Sequence, residues 1–79
     1  MKFNQEVIFL SYHNGETTKG KKWHAIRIKD EKDNEFMLFG DKAKNYEKND
    51  MGEKIKAEIE INSYFNHRTN KTENILSII

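Results

Sequence analysis

The 79-residue chain contains no cysteine and no proline. The first absence removes disulfides and thiolate metal sites. The second leaves no strand demoted to a sheet edge by a missing N–H. No apolar run approaches the roughly 20 residues that span a bilayer. The opening stretch, MKFNQEVIFLSY, lacks the long apolar core and small-residue cleavage site of a secretion signal. A cytoplasmic protein without membrane association is therefore expected. A strong charge imbalance is missing too: 14 basic residues oppose 13 acidic ones, for a net charge of +1. Net charge thus does not announce a nucleic-acid binder, and any such role must rest on where the charges lie.

Catalytic constellations are equally scarce. His13, His24 and His67 are far apart and have no ligand-type spacing. No carboxylate pair is placed for acid/base work, Ser11, Ser63 and Ser77 lack a nucleophile motif, and no glycine-rich phosphate loop occurs. Neither an enzyme nor a cofactor nor a metal is expected.

What is present fits one small domain with a thin core, 35% hydrophobic and 34% charged. Residues 2–13 read as a first strand, with Val7, Phe9 and Ser11 on one side and Ile8, Leu10 and Tyr12 on the other. The polar stretch HNGETTKGKK reads as a mobile loop. Residues 22–29 form a second strand. Alternation puts His24, Ile26 and Ile28 on the core side and Trp23, Ala25, Arg27 and Lys29 outside. Asp33-Asn34 suits a tight reversal. A third strand over 35–40 is apolar on both faces, and Met37 and Phe39 are expected outside, with Phe36 and Leu38 in the core. A register slip of one residue would exchange the two pairs.

Asp41 is a plausible helix N-cap for DKAKNYEKN, a helix of two to three turns whose Ala43 and Tyr46 can touch the core. Residues 53–62 alternate strictly, with Ile55, Ala57, Ile59 and Ile61 on one face. The loop SYFNHRTNKTEN and a last strand, ILSII, complete the chain. Three strands, a short helix and two strands predict an all-β domain over residues 1–79: a five-stranded Greek-key barrel of the oligonucleotide/oligosaccharide-binding (OB) fold. SH3-like and ferredoxin-like folds are weaker fits, the latter because it needs two good helices.

WHAIRI, FMLFGDKAKNY and GEKIKAEIEINSYFNHRTNKTENILSII together resemble single-stranded DNA-binding proteins of the bacterial and phage type. The likeness covers about residues 20–79, with Phe39-Gly40 and Gly52 as its firmest points. It implies that Trp23 and Phe39 stack on bases and that Tyr64, Phe65 and Arg68 lie in a DNA-wrapping loop. The bacterial members usually carry a long disordered tail with an acidic tip, and this chain stops at Ile79. The resemblance therefore implies a minimal version from a phage or mobile element.

The residue chemistry points the same way. Aromatic faces stack on bases of any sequence, and basic side chains neutralise phosphates. The strand 2–3 face supplies Trp23, Arg27, Lys29, Met37 and Phe39, the first loop Lys19, Lys21 and Lys22, and the last loop Tyr64, Phe65, His67, Arg68 and Lys71. The acids are expected mostly elsewhere, and one of Tyr64 and Phe65 is expected to pack on the barrel while the other is free. The plain reading of each residue differs. A lone tryptophan is often core, and surface lysines often only solubilise. The expected function is sequence-independent binding of single-stranded DNA in replication or recombination. Binding of RNA by an OB domain is one alternative, and a protein-interaction or homo-oligomerisation module is another.

Overall fold

The computed structural model describes all residues from Met1 to Ile79. The protein is mostly strand: β1 (Lys2–Glu16), β2 (Lys22–Lys29), β3 (Glu35–Phe39), β4 (Lys54–Asn66) and β5 (Lys71–Ile78). One 3-10 helix, Asp41–Tyr46, lies between β3 and β4. No helix is long and apolar enough to cross a membrane.

The strands form one sheet in the order β1-β2-β3-β5-β4 that closes on itself. Length makes this possible in β1, whose first part, Lys2 to Ile8, pairs with β4 while Ile8 to Glu16 pair with β2. All ladders are antiparallel except β3–β5, which is parallel and consists of the single pair Phe39↔Ser77. The interior is filled by Val7, Phe9, Ile26, Ile28, Leu38, Ile55, Ala57, Ile59 and Ile78, with Ala43 of the 3-10 helix plugging it and Tyr46 packed alongside. Every one of these strand residues follows the period-2 alternation of its own segment.

Several boundaries differ from the sequence reading, and each has a physical cause. β1 does not stop at residue 13 and the following stretch is not a free loop. Asn14, Gly15 and Glu16 pair with His24, Trp23 and Lys22, and a tight turn follows. In that turn Thr17 accepts the Gly20 N–H and the Lys21 N–H reaches the Thr17 hydroxyl. Likewise the expected last loop is a β-hairpin. Ser63 to Asn66 pair with Lys71 to Asn74, leaving only residues 67–70 as the turn, with Asn70 at φ 59°. Turn-forming polar residues hid strand pairing in both places.

Strict alternation along β1 also fails. The β1–β2 register shifts between Phe9 and Ser11, so Tyr12, not Ser11, shares the interior side with Val7 and Phe9. A β-bulge at Leu10 is the cause, because one extra residue inverts the facing of everything after it.

The helix is shorter than expected. Gly40, not Asp41, occupies the N-cap, with no side-chain cap bond. Gly40 has φ 148°, and a Cβ there would fall 2.5 Å from the Ile78 carbonyl oxygen. Only glycine lets the β3 end approach β5 this closely. Gly40→Ala is expected to cost at least about 1–3 kcal/mol, the usual range for backbone strain at such a residue. Thermal unfolding would reveal this as a lowered midpoint; an unchanged midpoint would mean that the β3–β5 contact is not structurally required.

Candidate functional site

Pairing fixes which side chains share the outer face. Arg27↔Met37 and Ala25↔Phe39 are opposed between β2 and β3, and Gly15 faces Trp23 across β1–β2. Met37 and Phe39 therefore lie outside with Trp23 and Arg27, as the alternation predicts. Trp23 and Phe39 are 36% and 41% exposed, and their ring centroids are 6.2 Å apart at an interplanar angle of 58°. Tilted contact at this distance is a favourable aromatic geometry.

Gly15 explains how a large indole lies on this surface. An added Cβ there would come within 2.6 Å of the Trp23 ring, so the indole rests directly on the Gly15 backbone. Ala25 departs from its expected exposure. It is fully buried yet stands outside the interior cluster, because it is flanked in the register by His13 and Phe39 and forms the floor between outward side chains. Phe36 departs as well. It shares the interior side with Leu38, but at 39% exposed it lies at the open end of the sheet, so Phe36 and Phe39 are both accessible.

Eight of the ten candidate residues fall into two groups at opposite ends of the parallel strands β3 and β5, and the opposed pair Arg27 and Met37 lies between them. Trp23 and Phe39, with Lys21 and Lys22, lie near the Phe39↔Ser77 end. Tyr64, Phe65, Arg68 and Lys71 belong to the β4–β5 hairpin at the other end. Between Ser77 and Glu73 run four residues of strand, about 13 Å at the usual rise. Met37 and Ile75 fill that interval. Ile75, the first residue of the expected last strand, is exposed and shares the outer side with Ser77 and Glu73.

Tyr64 and Phe65 are both exposed, so the expectation that one packs on the barrel is not met. Phe65 makes an edge-on contact with His67 at 5.0 Å. Tyr64 donates its hydroxyl to Glu73 Oε2 at 2.7 Å, and Asn66 Nδ2 donates to the same oxygen. Hydrogen bonding, that from Tyr64 foremost, holds the Glu73 carboxyl below its ordinary value of 4.5 and pushes the Tyr64 phenol above 10.0.

Charge is less segregated than the sequence suggests. Arg27 is held by Glu35 at 3.1 Å, and Lys29 faces Asp33 at 3.4 Å. Glu35 and Glu73 both stand on the outer face, although the acids are expected mostly elsewhere. The cations in no ion pair here are Lys19, Lys21 and Lys22 at the β1–β2 turn, and Arg68 and Lys71 on the hairpin. The histidines are dispersed. His24 shares a 2.6 Å hydrogen bond with Tyr12, and His13 one of 2.7 Å with Ser11.

Two outcomes test this geometry. Gly15→Ala is expected to lift the indole and shift Trp23 fluorescence while circular dichroism stays unchanged; an unaltered emission spectrum would contradict the indole's seat on Gly15. The Tyr64–Glu73 bond has a defined pH range. Because the folded carboxyl is depressed, its stabilisation is present above the unfolded value and lost as pH falls through the folded one. The raised phenol adds a second loss as pH rises beyond 10.0. Tyr64 ring NMR shifts should follow the acid step, and Glu73→Gln should abolish it.

Comparison of the chain with known protein families, curated proteins and solved structures finds no match.

Proposed function

We propose that this protein is a small OB-fold barrel that binds single-stranded DNA without sequence preference. The observation that carries this reading is the exposed Trp23–Phe39 pair beside the unpaired lysines of the β1–β2 turn. An unpaired strand offers two handles, flat bases and a charged backbone, and this end of the outer face presents a partner for each. Met37, Ile75 and Tyr64 continue the apolar and aromatic surface toward the hairpin, where Arg68 and Lys71 offer a second set of phosphate contacts. Arg27, tied to Glu35, serves better to keep the face flat than to seize a phosphate. The strand order and the single helix before β4 agree with the OB topology. A role in protecting or organising single strands during replication or recombination follows from such binding.

The test uses the single tryptophan. Titration with oligo-dT is expected to quench Trp23, far more than duplex DNA does, and the effect should weaken steeply with salt. Absence of any change in fluorescence or in gel mobility with a long single strand at low salt sinks the proposal. Each of Lys19, Lys21 and Lys22 that contacts a phosphate should, when replaced by alanine, reduce the salt slope by about 0.7. Phe39→Ala removes one stacking surface worth about 1–3 kcal/mol, a loss of roughly 5- to 150-fold in affinity for labelled oligo-dT. Met51→Ala, at an exposed turn, should leave that affinity intact. Tighter binding of oligo-U than of oligo-dT would move the assignment to RNA.

A further inference from the structure

The parallel strands β3 and β5 meet at one pair only, Phe39↔Ser77. From there toward Glu35 and Lys71 no further pair joins them, and neither strand has another partner on that side. The result is a slot flanked by two unpaired backbone edges, the kind of edge that accepts an added strand.

Like charge opposes any continuation of this pairing. Continued in register, the pairing would set Met37 opposite Ile75 and Glu35 opposite Glu73, all on the outer face. Like charges directly opposed destabilise a strand pair. Glu35 is half-exposed although it holds Arg27, and Glu73 has no cationic partner at all.

The interior side of the same slot is apolar. A cavity of about 190 Å³ is lined by Phe36 and Leu38 of β3 and Leu76 of β5, with Ile61, Phe3 and Val7 behind them, and Gln5 and Asp30 are the two polar residues in its wall. For scale, a cavity of about 150 Å³ accommodates a benzene ring. This one is large enough for one bulky aliphatic or aromatic side chain.

From the two edges, the facing carboxylates and the cavity, we infer that the β3–β5 slot is a docking site for an extended peptide of another protein, one that alternates apolar and basic residues. Its backbone pairs with the free edges. An apolar side chain enters the cavity beside Phe36. The adjacent lysine or arginine, pointing outward, sits between Glu35 and Glu73 and relieves their repulsion. An acidic peptide would meet the same two carboxylates unfavourably. The site lies apart from the Trp23–Phe39 pair, and the inference does not depend on the DNA-binding reading.

The experiment uses the full chain without nucleic acid. The probes are the blocked peptides KVKLKVK, EVELEVE and KKKKVLV, the last having the composition of the first without its alternation. Amide hydrogen exchange is followed by NMR. KVKLKVK is expected to protect slot-facing amides within 35–38 and 71–76, and to bind at least tenfold tighter than the other two. Phe36→Ala, at an exposed position, should weaken it at least tenfold with the fold retained. The double variant Glu35→Lys with Glu73→Lys should reverse the preference toward EVELEVE. Equal binding of KVKLKVK and KKKKVLV would reduce the effect to bulk ionic attraction and overturn the proposal. So would protection elsewhere, or self-association of the chain through these same amides without peptide.

Discussion

The close approach of Gly40 to the Ile78 carbonyl holds the architecture together. β3 and β5 share only the Phe39↔Ser77 pair, so closure of the sheet depends on two backbones meeting where a Cβ would leave 2.5 Å to the carbonyl oxygen. That contact encloses Ile78 and Leu38 in the core. It sets the 3-10 helix so that Ala43 plugs the interior, and it lets the Gly40 N–H donate to the His24 carbonyl, tying β3 to β2. It also fixes the direction of Phe39, the last residue before the glycine. One residue without a side chain thus serves both the closure of the fold and the placement of an outward aromatic.

Beside Phe39 on the outer face a related device operates. Trp23 lies close against the β1 backbone because Gly15 across the ladder has no side chain to displace it. The bulge at Leu10 is what brings Gly15 to that side, since it inverts the facing of all later β1 residues. Glycine thereby makes room twice, once for a backbone and once for an indole. The outer face that results is aromatic and apolar through its middle, with free cations at its two ends and two carboxylates between β3 and β5.

Those carboxylates divide the sheet's exposed chemistry. Near Phe39 and Ser77 the surface offers rings and lysines, which suits bases and phosphates. Toward Glu35 and Glu73 the pairing ends, and the surface offers acids, unpaired backbone and a largely apolar cavity, which the proposed basic, strand-like peptide would match. The two regions occupy different lengths of the same pair of strands, so one small domain presents two unlike surfaces.

Much of this could be read from residue order. The strict alternation of Ile55, Ala57 and Ile59, the Ile26/Ile28 face, and the outward Trp23, Met37 and Phe39 all follow from the period of a strand. Three strands, a short helix carrying Ala43 and Tyr46, and two further strands also matched. What escaped is of another kind. The bulge at Leu10, the burial of Ala25, the pairing of residues 13–16 and 63–66, the exposure of Phe36 and Ile75, and the Arg27–Glu35 and Tyr64–Glu73 bonds each depend on a neighbour distant in sequence. Local alternation determined which way a side chain points, because that is a property of one strand's backbone. Whether it is covered, paired or free was decided only when the five strands closed, because burial and charge pairing belong to the neighbours that closure brings together.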